Sequence, residues 1–313
     1  MENQTEVTYF ILRGLTDRHD TQKFLFAVFL VLYLASLLGN GAIVCVVVTE
    51  SRLHTPMYFF LSNLSCLDIC YSVVIIPKML DGFLLAHRRI SFIGCIAQLH
   101  FFHFLGSSEA LLLAAMAYDR YVAICNPLHY PVIMCQRACL LLVAATWTMG
   151  FFHALMHSIM TSQLYFCGPN IIDHFFCDIK PLLRLACSST MLNLILLNVV
   201  TGSIVLIPFV LTLLSYLYII SFLFLKVQSH NGRWKAFSTC SSHLTVVGLF
   251  YVPVLFNYLP PSSGGSPRRD MVATLMYSVV TSFLNPVIYT LRNQEMKTAQ
   301  RKSLGGLLNS VRM

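Results

Sequence analysis

Seven stretches of this chain are apolar for long enough to cross a lipid bilayer, near 24–48, 57–79, 96–118, 139–161, 194–225, 238–259 and 271–291. About 20 residues of helix cover the hydrocarbon core, and each stretch reaches or approaches that length. Lipid offers no partner to a backbone N–H or C=O, so a spanning segment is a helix or part of a closed barrel. The in–out alternation of barrel strands is absent, which leaves helices. Of the 313 residues, 57% are hydrophobic and only 11% charged, against about 25% charged in soluble domains. A soluble fold could not hide that much apolar surface. The expected fold class is an all-α membrane protein, a seven-helix transmembrane bundle with membrane lipid as its surroundings. The formal charge of +8 is scattered among the spans. With no Lys/Arg block interleaved with exposed aromatics, nucleic acid is not an expected partner.

The first stretch, Phe24 to Val48, is too long for a signal-peptide core and lacks a cleavage site, so it reads as an uncleaved helix. An odd number of spans puts the termini on opposite sides. Lys and Arg divide ten to eleven between the two sides, so the positive-inside rule barely votes. Chemistry votes better. Asn3-Gln4-Thr5 is a glycosylation sequon, usable only in the secretory lumen, whereas Asn63-Leu64-Ser65 lies inside a span and is silent. The N-terminus is therefore outside. The expected division is an extracellular tail over 1–23, the seven-helix domain over 24–291, and a short cytoplasmic tail with an amphipathic helix over 292–313. Of eleven cysteines, Cys167, Cys177 and Cys187 share the loop after the fourth span, and Cys95 opens the third span on the same side. Four thiols in an oxidising space allow three pairings, and spacing does not choose among them. The other seven read as small buried apolar residues or thiols on the reducing side.

Polar residues within the spans narrow the function, because a charge in the bilayer is costly and is paired, interfacial or functional. The third span ends in Met116-Ala117-Tyr118-Asp119-Arg120-Tyr121, an acid and a base side by side where lipid meets water. That junction suggests an ion pair that can be broken on command. Asp68 in the second span shares a helical face with Ser65 and Ser72. Glu109 precedes Arg120 by eleven residues, about 16 Å along nearly one stripe. If Asp68 and Glu109 converge, their hard oxygens suit Na⁺ or a shared proton, so a sodium ion is the one cofactor considered. Ser278, Thr281, Ser282 and Asn285 line one face of the seventh span, followed by Pro286 and Tyr289. Pro208 and Pro253 interrupt the fifth and sixth spans in the same manner as Pro286. The inner end of the sixth span, Lys235 to His243, is too polar to face lipid and suits a docking cleft. The pairs His100/His103 and His153/His157 have metal-compatible spacing without a fixed third ligand. His103 reads instead as a polar contact in an outward-facing cavity.

Other functional classes leave signatures that are missing. A transporter, the main alternative together with a channel, predicts internal repeats and paired broken helices. An intramembrane enzyme needs paired catalytic aspartates, a Ser/His pair or an HExxH helix, and none is found.

Five motifs in order extend this reading. They are Leu53-His54-Thr55-Pro56-Met57-Tyr58-Phe59-Phe60-Leu61-Ser62-Asn63-Leu64-Ser65, Met116 through Tyr130, Ser215-Tyr216, Lys235-Ala236-Phe237-Ser238-Thr239-Cys240, and Leu284-Asn285-Pro286-Val287-Ile288-Tyr289-Thr290-Leu291-Arg292-Asn293. On these the chain resembles the rhodopsin-like (class A) G-protein-coupled receptors, and within them the tetrapod-type (class II) olfactory receptors, over almost its whole length. The resemblance implies a multi-pass plasma-membrane receptor, not an enzyme. Such a receptor binds a small volatile odorant and activates a heterotrimeric G protein of the stimulatory olfactory type, raising cAMP.

Residue roles follow from the same resemblance. It implies disulfides Cys95–Cys177 and Cys167–Cys187, and a sodium site at Asp68 and Glu109. The activation switch would be Asp119 and Arg120 with Tyr216, His243, Asn285, Pro286 and Tyr289. The odorant pocket projects onto Phe102, His103, Gly106, Ser107, Thr201, Ile204, Tyr251, Leu255, Tyr258 and Ser278. That lining is apolar and aromatic with a few hydroxyls and one imidazole, which suits a small ligand with one hydrogen-bonding group. No basic residue is among them, which disfavours a carboxylate ligand. Val252-Pro253 after Phe250-Tyr251, and Ser282 where the family commonly has Pro, depart from its pattern and bear on pocket shape.

Overall fold

The computed structural model describes residues 7–16, 18–84, 88–258, 267–292 and 296–299. Among them, seven helical segments are long and apolar enough to span a membrane. The first four are α1 (His19–Thr49), α2 (Pro56–Leu84), α3 (Phe92–Cys125) and α5 (Gln136–Ser162), with a single turn α4 (Tyr130–Ile133) between the last two. A short outer-loop helix α6 (Ile179–Leu185) follows. The fifth span joins α7 (Met191–Leu196) to α8 (Gly202–Lys226) through a π-helical turn, Leu197–Thr201. The sixth is α9 (His230–Tyr258), and the seventh joins α10 (Pro267–Leu275) to α11 (Thr281–Arg292) through a second π turn, Met276–Val280. The helices overrun the apolar stretches, because lipid thickness limits the apolar run while the helix continues into the interface. Asn3 and most of the 292–313 tail, with its expected amphipathic helix, lie outside the described residues.

The bundle is turned inside out relative to a soluble core. Leu38, Val31, Leu217 and Leu225 point outward into lipid, while Ser36, Asn40, Asp68, Glu109 and Asn285 are buried. Small residues let the helices approach: a Cβ on Gly39 would meet the Pro286 ring at 2.9 Å, and one on Gly150 would meet Ser108 Oγ at 2.2 Å. An interior proline leaves a carbonyl without its helical N–H, and at Pro286 neighbours supply the missing donors. Pro286 frees the Ser282 carbonyl, which accepts from Asn40 Nδ2 at 2.9 Å and Ser36 Oγ at 3.3 Å. Ser36 in turn meets Ser72 Oγ at 2.8 Å, so one gap in α11 ties α1, α2 and α11 together.

Outside the bundle the chain forms a small sheet that the span pattern does not announce. Strand β1 (Tyr9–Leu12) of the N-terminal tail pairs antiparallel with β2 (Arg89–Ser91) and parallel with β3 (Ile171–Ile172). Phe10 and Leu12 are buried by this packing, and Arg13 pairs with Asp173 at 3.3 Å. Both disulfides have the pairing that the resemblance implies, Cys95–Cys177 and Cys167–Cys187. The first anchors the long outer loop to the start of α3. That loop therefore roofs the bundle.

Candidate functional site

Three polar centres lie at different depths, and α3 contributes to each. The outermost is a small cavity lined by Phe102, His103, Gly106, Ser107, Thr201 and Tyr258 together with Tyr71, Val205, Phe250, Val254 and Tyr277. Gly106 keeps it open, since a Cβ there would meet the Tyr71 hydroxyl at 2.6 Å. His103 Nε2 is 3.4 Å from Asp178 Oδ1 in the loop, but the two are not aligned as a hydrogen bond. Behind it, Thr201 Oγ1 meets His153 Nε2 at 2.9 Å and His157 Nε2 at 2.8 Å, while Ser107 Oγ meets His153 Nδ1 at 2.8 Å. The π turn aims Thr201 at both rings. No group of three or more His, Cys, Asp or Glu among the described residues is arranged to hold a metal.

The loop adds charged groups above this cavity. Burial pushes the Asp178 carboxyl up, but the imidazoles of His103 and His174 outweigh it and leave the group below its ordinary value. Burial lowers His174 to about 4, against the opposing pull of Asp178 and Asp173. Lys180 is buried, donates to the Asn257 carbonyl, and lies 5.1 Å above the Tyr258 ring. Burial lowers its ammonium too, with Asp178 and Asp270 opposing.

At mid-depth, both Asp68 oxygens accept from Asn285 Nδ2, at 2.9 and 3.2 Å. Glu109 is 1% exposed, and neither of its oxygens has a hydrogen-bond partner. Asp68 is near enough for its charge to act on Glu109. Asn285 Oδ1 and the Tyr289 hydroxyl are also buried without partners. A set of oxygens with unfilled acceptor capacity fits a hard monovalent cation or a shared proton.

At the inner end the Arg120 guanidinium binds the Asp119 carboxylate, with Nε 2.9 Å from Oδ2. Tyr130 on α4 donates to the other oxygen, Oδ1, at 2.8 Å. Burial first, and then the Asp119 charge, raise the Tyr130 phenol above its ordinary value. Tyr216 on α8 meets His243 Nδ1 on α9 at 2.5 Å. Asp119 is buried and Arg120 nearly so, which makes the pair a shielded ion pair rather than a solvated surface contact.

Six of the ten projected pocket residues line the cavity. Ile204, Tyr251, Leu255 and Ser278 do not. The Tyr251 hydroxyl donates to the Ala110 carbonyl at 2.9 Å, and Ser278 Oγ donates to the Thr274 carbonyl at 2.6 Å. Leu255 packs on the apolar core, and Ile204 is half-buried on the fifth span. Helical rotation accounts for the misses: Phe250 and Val254, one turn apart, point inward where Tyr251 and Leu255 point aside. Sequence reasoning also missed Tyr71, Tyr277, Asp178 and the basic residue Lys180. Asp178 directly follows Cys177, so its place under the roof was deducible from the disulfide.

The geometry agrees with comparison to known proteins. A family model described as olfactory receptor matches residues 29–305. Human "Olfactory receptor 12D1" is 59% identical over 97% of this chain and 95% of its own length. Human "Olfactory receptor 12D2" is 57% identical over 96% and 97%, and rat "Olfactory receptor 1f45" is 49% identical over 96% of each. With seven membrane-spanning helices, buried polar centres along α3 and both outer disulfides, the chain belongs to the olfactory receptor family, multi-pass G-protein-coupled receptors of the plasma membrane that are not enzymes.

Proposed function

We propose that a small volatile odorant binds in the outer cavity around His103 and drives the receptor to activate a stimulatory olfactory-type G protein, raising cAMP. The observation that carries this reading is the cavity itself: an aromatic and aliphatic lining with a buried imidazole nitrogen, His103 Nε2, that lacks a hydrogen-bond partner. An odorant with one hydrogen-bonding group satisfies that atom, and the remainder of its surface meets Phe102, Val205, Phe250 and Val254. Activation is a population shift. Ligand must bind the state with Arg120 released better than the latched state, by about 5 kcal/mol for a shift from mostly off to mostly on. A ligand of few heavy atoms gains at most roughly 1.5 kcal/mol from each. Weak, micromolar agonism follows. A nanomolar odorant counts against the mechanism.

The same reading gives the mid-depth oxygens a sodium ion, held by Asp68 and Glu109 in the latched state. Bound there, the ion supplies the positive charge that two buried carboxylates lack. Asn285 positions Asp68 through its amide, so the carboxylates that would hold the ion are tied to α11 by that hydrogen bond. The inner residues Tyr216 and Tyr289 then stabilise the open cleft for the G protein.

The test is a cAMP screen of cells expressing the chain against a panel of volatiles, repeated with His103→Ala. Responses to hydrogen-bonding odorants should fall at least tenfold in potency, or roughly 1.4 kcal/mol, while surface expression persists. Unchanged responses in His103→Ala would remove the cavity from the mechanism, and a response through another second messenger would remove the stimulatory G protein.

A further inference from the structure

A second concavity lies on the opposite side of α9 from the odorant cavity. It is a shallow groove, open to the lipid, between the outer ends of the sixth and seventh spans. Its floor is apolar, built from Val252, Pro253, Phe256 and Val272, and its outer rim carries Arg268 and Arg269. Phe256 is 64% exposed and Val272 55%, so the floor is turned to the membrane and not to the bundle. Both arginines sit in the first turn of the seventh span, at the depth where hydrocarbon gives way to headgroups.

The charges at the rim do not cancel. Asp270 is the carboxylate beside the arginines, and it is shared: one oxygen is 4.0 Å from Arg269 Nε and the other 3.6 Å from Arg184 of the outer loop. Arg268 makes no ion pair with a described residue. The rim is therefore net positive directly above a lipid-facing apolar trough. We propose that this seam binds one membrane phospholipid, its phosphate on Arg268 and Arg269 and an acyl chain along Val252, Pro253, Phe256 and Val272. Guanidinium forks match phosphate oxygens in geometry as well as charge, and an acyl chain below the phosphate lies against the apolar floor.

The site has a consequence for signalling. Phe250, Val254 and Tyr258 line the odorant cavity from the inner face of α9, while Val252, Pro253 and Phe256 line the groove from its outer face. Pro253 removes one rung of the helix between the two faces, which makes that segment easier to bend. A lipid and an odorant thus press on opposite sides of one weakened turn.

The test is independent of which odorant fills the inner cavity. The full chain is purified in detergent and examined by native mass spectrometry with phosphatidylglycerol, with diacylglycerol of the same acyl chains, or with inorganic phosphate alone. We expect one tightly retained phosphatidylglycerol that neither diacylglycerol nor phosphate replaces. Arg268→Gln/Arg269→Gln should cut its retention roughly tenfold or more, and Val272→Trp, which fills the trough and leaves both arginines, should cut it as well. Equal retention of diacylglycerol would show a purely apolar groove and overturn the proposal. So would displacement by phosphate alone, or undiminished retention in both variants.

Discussion

Arg120 and Glu109 show how one residue's environment sets its role. The guanidinium is matched by a buried carboxylate that also accepts from Tyr130, so its positive charge is fully used in the latched state. Removing it leaves Asp119 buried without its cation, which costs several kcal/mol locally, and on the proposed mechanism it also removes the group offered to the G protein. Arg120→Ala should abolish odorant-evoked cAMP with surface labelling still measurable, and retained signalling would show that the latch is elsewhere. Glu109 is the opposite case, a carboxylate whose two oxygens lack any partner among the described residues. If sodium supplies that partner, replacing external sodium by a bulky organic cation should raise basal cAMP in the wild type. Glu109→Gln should be insensitive to the exchange. Equal sodium sensitivity in both would exclude Glu109 from the site.

Within the helices, the irregularities are matched by donors or acceptors on neighbouring helices. The Ser282 carbonyl that Pro286 frees is taken up by Asn40 and Ser36 of α1, joining elements more than 240 residues apart in the chain. Asn40→Ala should lower thermal stability by about 1 kcal/mol, the cost of losing the shorter of the two hydrogen bonds to that buried carbonyl. In a Pro286→Ala background, where the backbone N–H is restored, the same substitution should cost measurably less. A thermal-shift double-mutant cycle reads the difference, and additive losses would break the link between the two residues. The π turn at Leu197–Thr201 was not foreseeable from the apolar run. It gives Thr201 its position between His153 and His157, a contact that joins the fourth and fifth spans.

Across the whole molecule, the outer loop and the tail act as one roof held by both disulfides and the three-stranded sheet. The 20-residue separation of Cys167 and Cys187 predicts a stabilisation of about 3 kcal/mol from the closed loop. Cys167→Ser/Cys187→Ser should reduce surface delivery in flow cytometry, and undiminished delivery would make that bridge dispensable. The roof is also where acidity should be felt. His174 is buried beside Phe175, Phe176 and the loop carboxylates, and burial lowers its value to about 4. The unfolded imidazole takes up its proton near 6.5, so the unfolded state binds more protons between the two values. Stability is then full above pH 6.5 and falls as pH drops toward 4, by up to about 3 kcal/mol. Asp178, held below its ordinary value, acts in the same direction at still lower pH. Unfolding curves of His174→Phe should lose most of the dependence between pH 6.5 and 4, and an unchanged dependence would point to another group.

Much of this protein was legible before any coordinates. Seven apolar runs require seven helices, because lipid leaves the backbone no other way to satisfy its hydrogen bonds. Buried Asp68, Glu109, Asp119 and Arg120 stand out because charge is rare and expensive in that setting. These are local or compositional facts, carried by each segment alone. Helical rotation is not. Whether Phe250 or Tyr251 faces the cavity turns on about 100° about one axis, fixed by packing against α3 and the seventh span. The strand at Tyr9–Leu12, the π turns, the shared Thr201 and the lysine at 180 above Tyr258 likewise depend on which distant segments meet. The sequence by itself determined a seven-helix membrane receptor with a charged pair at the inner end of its third span. Only the tertiary structure decided which side chains share a cavity, because contacts across helices are set by the packing of the whole bundle and not by any one span.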